Sequence, residues 1–191
     1  FYYNSGTSIP GMLVSGIIAV VVGGVMIVSA LLGIFLFNPL EVGGCRFFME
    51  NSEYQPTVGR LGFAFQKGMY GKTVLTLFLR KLFIGLWSLL LIVPGIVKAY
   101  EYRMVPYLLA DDPNMTRQDA FRLSKELMYG QKWNTFVLDL SFLGWSLLSL
   151  CTCGLLAIFY VNPYVQATNA ELFLELKREY FASRQNAYPS M

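Results

Sequence analysis

Long apolar runs alternate with short, polar and basic segments along this chain. The first run extends from Ile9 to Phe37, the second from Thr73 to Ala110 and the third from Asn134 to about Lys177. About 20 apolar residues cross a bilayer core, so the first run predicts one transmembrane helix. A straight helix over the second run would measure about 57 Å, nearly twice the core thickness, so the second and third runs each predict two crossings.

Residues that allow a chain reversal lie in the middle of each longer run. Val93-Pro94-Gly95 interrupts the second run, because proline removes a helical donor and glycine accepts turn conformations. Cys151-Thr152-Cys153-Gly154 interrupts the third run. The sequence therefore predicts an all-α integral membrane protein. Its bundle would contain about five transmembrane helices, two hairpins and one preceding helix, with crossings at about 9–37, 73–93, 96–110, 133–152 and 155–176.

The two predicted hairpins resemble each other. Trp87-Ser88-Leu89-Leu90 is matched by Trp145-Ser146-Leu147-Leu148 at an offset of about 58 residues, which indicates an internal repeat. Phe37-Asn38-Pro39-Leu40 similarly resembles Val161-Asn162-Pro163-Tyr164, although a common helix stop signal explains this third match equally well. We interpret residues 1–191 as a single membrane domain, with the helix over 9–37, repeat A over 57–110, repeat B over 116–176 and a tail over 177–191.

The composition agrees with a lipid environment. Only 14% of the residues are charged and 55% are hydrophobic, whereas soluble domains contain about 25% charged residues. A net charge of +3 is too small to indicate nucleic acid, and we expect no nucleic-acid partner. The chain begins with Phe1 and has no charged residue before Glu41. Together with the half-repeat, this predicts one more transmembrane helix ahead of Phe1.

Charge also predicts the topology. Segments 38–72, 111–132 and 177–191 would share one side of the membrane and contain the basic loop residues, which the positive-inside rule places in the cytoplasm. Thr116 and Asp119 have capping-box spacing for a helix that Gly130 can end, and Gly62 to Met69 predicts a weaker counterpart. We expect both helices to lie on the cytoplasmic face, where they seal the hairpin ends; a docking role is the alternative.

Few side chains suit catalysis or metal binding. The chain has no histidine, and Cys45, Cys151 and Cys153 lack zinc-site spacing, so we interpret them as small apolar residues. Serine and tyrosine are plentiful, but no nucleophile has a histidine or paired-carboxylate partner. We therefore expect no enzyme activity, no metal and no cofactor.

Charged residues inside the predicted spans are the candidate functional residues, because such groups are costly in lipid and are usually paired or functional. Lys98 and Glu101 are three residues apart and can pair on one helix face. Asp139 and Lys81 lie at similar depth, so Asp139 is predicted to pair across the hairpins with Arg80 or Lys81, or less directly with Arg103. The alternative is a hydrated Asp139 and a Lys81 that extends to the headgroups. The six candidates are Arg80, Lys81, Lys98, Glu101, Arg103 and Asp139.

Several of these segments together resemble a known family. The run from Leu86 to Lys98, Tyr100-Glu101-Tyr102, Lys132-Trp133, the run from Leu140 to Trp145, and Pro163-Tyr164 are similar to the bacterial integral-membrane family catalogued as domain of unknown function 975. The resemblance extends from about Phe37 onward and implies a multi-pass protein of the cell membrane, mostly of Gram-positive bacteria. It implies no activity and no catalytic residue.

Two functions fit these observations. The first is an accessory or scaffold protein that binds membrane lipid, a protein partner or a second copy of itself, with interior charges that fix the hairpins. The second is a small-solute transporter or channel with a polar path between the repeated hairpins. A polar cavity that reaches Glu101 favours transport, whereas a dry and fully paired interior favours the scaffold.

Overall fold

The computed structural model describes residues 9–53, 58–66, 68–152 and 154–187. The described residues form helices and no strands, which confirms the all-helical class. The helices are α1 (Ile9–Leu32), α2 (Asn38–Glu53), α3 (Tyr70–Leu90), α4 (Ile92–Glu101), α5 (Val105–Asp111), α6 (Arg117–Leu127), α7 (Lys132–Cys151) and α8 (Asn162–Ala187). Two π-helical segments, Gly33–Phe37 and Ala157–Val161, precede α2 and α8, and a 3₁₀ segment covers Val58–Phe65.

The chain divides into two compact units between Phe37 and Asn38. The first unit is the apolar helix α1 with its π-helical segment, and almost all of its described side chains are exposed. Two helices in the described residues, Leu13–Ser52 and Tyr70–Leu90, are long and apolar enough to cross a membrane. This finding supports membrane association. Two candidate spans are fewer than the five crossings that the sequence predicts.

The second unit is built around α5, whose residues Val105 to Ala110 are all buried. Helices α2, α3 and α6 contact α5, and α8 packs against α2 and α6. Apolar side chains from these helices fill the core, among them Val42, Leu77, Leu108, Met128 and Phe173. Burial of this apolar surface stabilises one end of the unit, while the far ends of α3, α4 and α7 keep exposed apolar side chains.

The first predicted hairpin forms, but its turn differs from the prediction. Helix α3 ends at Leu90, and the extended residue Leu91 (φ −156°) reverses the chain into α4. Pro94 therefore lies in the first turn of α4. Backbone N–H groups there have no acceptor within the helix, so the N–H that proline lacks is not missed. Gly95 has a packing role instead, because a Cβ there would be 2.6 Å from Ser88 Cα. The return leg also breaks at residues 102–104, between α4 and α5.

The second hairpin turns where the sequence predicted. Helix α7 ends at Cys151, and Gly154 has a φ of +82°, a left-handed conformation that favours glycine. Rings of Trp145 and Tyr160 lie 5.9 Å apart between centroids, which shows that the return leg folds back on α7. Cys153 lies outside the described residues.

Four segments outside the hairpin turns differ from or match the predictions. Residues after Asn38 were predicted as a loop, but α2 continues to Glu53, because a proline at position 39 occupies the first turn of a helix without cost. The predicted helix over Gly62 to Met69 is instead the 3₁₀ segment at 58–65. Helix α6 agrees with its prediction, since Thr116 Oγ1 accepts from Asp119 N at 3.2 Å. Helix α8 extends past the predicted end at 176 to Ala187.

Candidate functional site

A cavity of about 460 Å³ lies within the second unit, where six of its helices meet. Its charged lining consists of two arginines and two carboxylates, and we call this space the polar cavity. The arginines are Arg80 on α3 and Arg103 in the break before α5; the carboxylates are Glu41 on α2 and Asp139 on α7. Neutral polar groups complete the lining, including Tyr100, Tyr107, Gln166 and Asn169.

The tightest ion pair in this lining joins the two hairpins. Arg103 donates from Nη1 to Asp139 Oδ2 at 2.5 Å and from Nη2 to Asp139 Oδ1 at 2.7 Å. Arg103 Nη2 also donates to Asn169 Oδ1 at 2.8 Å, and Tyr100 Oη donates to Asp139 Oδ2 at 2.8 Å. A bidentate pair of this kind fixes both distance and orientation. It therefore connects the first hairpin, α7 and α8 at one point.

A second ion pair lines the opposite part of the same cavity. Arg80 Nη1 donates to Glu41 Oε1 at 2.8 Å, and Lys81 Nζ lies 3.4 Å from Glu41 Oε2. Lys81 Nζ also donates to Asn38 Oδ1 at 2.5 Å. These contacts hold α3 against α2, in the same way that Arg103 and Asp139 hold the first hairpin against α7.

Glu101 forms a separate cluster at the end of α4. Its carboxylate accepts from Lys98 Nζ at 2.6 Å and from Lys132 Nζ at 2.7 Å, and the Glu101 side chain is only 8% exposed. Ser124 Oγ on α6 donates to the Glu101 carbonyl at 2.8 Å. Residues that line the polar cavity do not include Glu101 in the described part of the chain. The cluster therefore closes the hairpin end against α6.

All six charged candidates take part in ion pairs, but Asp139, Arg80 and Lys81 have partners that differ from the favoured prediction. Lys98 and Glu101 pair as their spacing predicted. Asp139 does pair across the hairpins, although with Arg103, the less favoured candidate. Arg80 and Lys81 bind Glu41 instead. Depth counted from Pro94 misplaced these groups, because the turn lies at Leu91 and the return leg is broken.

Sequence reasoning missed several members of the site. Glu41 was assigned to a loop, and Lys132 was counted only as a basic loop residue. Continuing the helix through Pro39 would have placed Glu41 on a helix near the membrane boundary. The neutral groups Tyr100 and Asn169 gave no signal of their own, since their bonds to Asp139 and Arg103 depend on tertiary packing.

Cys45 lines the polar cavity and is 3% exposed. This burial keeps the thiol away from alkylating reagents in solution. Within the described residues, no cluster of three or more Cys, Asp or Glu side chains could hold a metal ion.

Comparison with protein families assigns part of this structure. Residues 89–179 match the model of DUF975, a protein family of unknown function. This segment of the chain is therefore similar to DUF975. The resemblance predicted from the sequence is thereby confirmed, over a shorter range than the expected start near Phe37. Neither the curated proteins nor the solved structures contain a match to the chain.

The DUF975 segment holds most of the site. It extends from the end of α3 into α8, so it includes Glu101 with both of its lysines, and Arg103 with Asp139 and Asn169. Glu41, Arg80 and Lys81 lie before it. One ion pair of the polar cavity is therefore internal to the DUF975 segment, and the other precedes it.

Proposed function

We propose that the chain is a multi-pass protein of the bacterial cell membrane that acts as an accessory or scaffold protein, without enzyme activity. Its repeated hairpins would present a rigid surface to membrane lipid, a protein partner or a second copy. The DUF975 match names no activity, so the proposal rests on the structure. The observation that carries it is the complete pairing of all six charged candidates described above.

Exposed apolar side chains support the membrane crossings of both hairpins. Leu89 is 85% exposed, Ile92 75% and Phe159 78%, and all three lie near the turns of the hairpins. Soluble proteins rarely expose apolar patches of this extent. Helix α7 adds 20 residues, a length of about 30 Å that suffices to cross a bilayer core. Lipid would cover these surfaces in the cell.

Interfacial residues support the proposed orientation. Tyr129 and Trp133 are 86% and 70% exposed beside Lys132, at the opposite end of α7 from its turn. Aromatic side chains at such positions favour the headgroup region. Helix α6 lies next to them, with its apolar face buried against the protein and with Arg117, Arg122 and Lys125 exposed. This arrangement fits a cytoplasmic seal that meets anionic headgroups.

Helix irregularities support the proposed repeat. Each of three segments with non-α winding is followed at once by an X-Pro pair: Gly33–Phe37 by Asn38-Pro39, residues 102–104 by Val105-Pro106, and Ala157–Val161 by Asn162-Pro163. The matched tryptophans also contact their return legs. Lys98 Nζ lies 5.7 Å from the centroid of the Trp87 ring, and the ring of Trp145 contacts the ring of Tyr160. This recurrence before three X-Pro pairs supports an internal repeat that includes the helix over 9–37 as a partial third copy.

A transporter or channel is the second candidate, and two observations favour it. The polar cavity lies between the hairpins, and the return leg of the first hairpin is broken beside it at residues 102–104. Discontinuous helices at a repeat interface are common in transporters. Against it, the cavity is lined by Arg103 and Asp139, which are already paired, and Glu101 lies outside its lining.

Cysteine labelling in intact cells tests the topology. We expect a Thr152→Cys variant to react with a membrane-impermeant thiol reagent, and a Ser183→Cys variant to react only after lysis, because both side chains are exposed and lie at opposite ends of the second hairpin. Both changes are made in a Cys-less background. A variant that retains Cys45 as its only cysteine is the control, and we expect it to stay unlabelled until denaturation because Cys45 is buried. Labelling of Ser183→Cys in intact cells would exclude the proposed orientation.

Flux measurements separate the two functions. Purified protein in proteoliposomes is tested for uptake of radiolabelled alanine, glycine betaine and potassium analogues, with protein-free vesicles as the reference. The scaffold proposal expects equal rates in both preparations. Uptake above the reference that falls when Ala99, a lining residue, is replaced by leucine would support the transporter instead.

A further inference from the structure

We propose that the polar cavity binds a small zwitterion, a molecule or headgroup that carries both an ammonium group and an anionic group. The inference rests on the cavity alone and holds both for a scaffold that retains the molecule and for a transporter that moves it.

The charge balance of the lining gives the first argument. Arg80 and Arg103 together offset Glu41 and Asp139, so the lining residues carry no net formal charge. Lys81, which also contacts Glu41, lies outside the lining and its side chain is 53% exposed. A ligand with a single charge would leave that charge uncompensated in a low-dielectric interior, which is costly. A zwitterion adds no net charge, and its two ends can meet the two kinds of lining group.

The exposure of the lining groups gives the second argument. The carboxylate side chains of Glu41 and Asp139 are 34% and 32% exposed, whereas those of Arg80 and Arg103 are 15% and 18% exposed. The carboxylates thus face open space more than the arginines do and attract an ammonium group. An acidic group of the same ligand would reach the more deeply set guanidinium groups.

Unused hydrogen-bonding capacity gives the third argument. Arg103 has five N–H donors, and three hydrogen bonds engage it in the described structure. Gln166 Oε1 accepts a long bond of 3.5 Å from Tyr107 Oη, at the limit of a useful hydrogen bond. The exposed Gln166 side chain can turn toward a ligand at little cost, whereas Tyr107 stays buried against Phe173. The lining therefore offers donors for an anionic group beside acceptors for a cation.

The size of the cavity limits the ligand. Roughly 15 water molecules occupy a volume of about 460 Å³ in liquid water. This volume falls within the range of small-molecule binding sites. An amino acid, a betaine or the headgroup of phosphatidylethanolamine fits this space. These are one chemistry from two sources, a free solute and a lipid.

Equilibrium dialysis of the full chain in nanodiscs tests the proposal. Nanodiscs of phosphatidylglycerol contain no zwitterionic lipid, and the probes are radiolabelled alanine and glycine betaine, with glycerol as the neutral and lactate as the anionic comparison. A second preparation contains phosphatidylethanolamine, whose retention by the protein is counted by native mass spectrometry. Saturable binding of a soluble zwitterion identifies a solute site, and retention of phosphatidylethanolamine alone identifies a headgroup site.

Paired variants assign the binding to the cavity. Ala99→Leu fills the space without removing a hydrogen bond, and Ala167→Leu on α8 is the control outside the lining. Glu41→Gln removes one lining carboxylate, and Glu50→Gln on the same helix is its control, since Glu50 pairs with Arg46 and Arg60. We expect at least tenfold weaker binding for Ala99→Leu and Glu41→Gln and no change for either control.

Three results would overturn the proposal. One is the failure of both soluble zwitterions and of phosphatidylethanolamine to bind. Another is binding of glycerol or lactate with equal affinity. The third is binding to Ala99→Leu at the level of the unmodified protein; if that variant does not fold, unchanged binding to Glu41→Gln decides against the proposal in its place.

Discussion

Asparagine in place of Asp139 is expected to lower the free energy of unfolding by about 2–4 kcal/mol. The change removes the carboxylate from a bidentate pair and leaves the Arg103 guanidinium, 18% exposed, without its counter-charge. Breaking a buried pair costs about 3–5 kcal/mol, and the partial exposure of Asp139 reduces this figure. Thermal or denaturant unfolding in detergent micelles, followed by the helical circular dichroism signal, measures the effect.

Two further variants make the result specific to this pair. The double variant Arg103→Gln/Asp139→Asn removes both charges, so it should cost less than the sum of the single changes by 1 kcal/mol or more. Glu175→Gln is the control, because its contact with Arg178 is 3.6 Å long and both side chains are more than 60% exposed. We expect a change within about 1 kcal/mol there. Additive single effects at positions 103 and 139 would contradict the pairing.

Replacing Gly95 by alanine is the second change with a large expected effect. A Cβ at this position would lie 2.6 Å from Ser88 Cα and would also overlap the Ser88 hydroxyl. The clash involves backbone, so α3 and α4 must move apart near their turn. Overpacking of this kind costs about 1–3 kcal/mol, and we expect the upper end of that range.

Gly85 on α3 provides the matched control, because a Cβ there would meet no atom within 4 Å. Alanine has the higher helix propensity, so Gly85→Ala should leave the stability unchanged or raise it slightly. Unfolding measurements on both variants in the same micelles give the comparison. Equal stability of Gly95→Ala and the unmodified protein would mean that α3 and α4 do not approach as closely as the structure shows.

Local signals in the sequence were reliable. The capping residues Thr116 and Asp119 predicted α6, and the spacing of Lys98 and Glu101 predicted their ion pair. Both depend on residues a single helical turn apart, where backbone geometry alone brings side chains together. The helical class and the first apolar helix follow from composition and periodicity in the same direct way.

Partners in the polar cavity could not be predicted, because they depend on how broken helices pack. The prediction for Asp139 assumed straight legs that turn at Pro94, and the observed break at residues 102–104 brings Arg103 to the carboxylate instead. Glu41 was missed for a related reason. Proline was taken as the end of a helix, whereas Pro39 lies in the first turn of α2, and Glu41 therefore stays within reach of Arg80.

The order of charges in the two ion pairs determines which hairpin legs can associate. In the first hairpin, the leg α3 carries the cation Arg80, and its partner Glu41 lies earlier in the chain on α2. In the second hairpin, the leg α7 carries the anion Asp139, and its partner Arg103 lies earlier in the chain. If α3 and α7 exchanged places, Arg80 would face Arg103 and Asp139 would face Glu41. Both contacts would be repulsive, and such like-charge contacts cost several kcal/mol where water is scarce. The charges therefore favour one order of assembly for two hairpins of similar sequence.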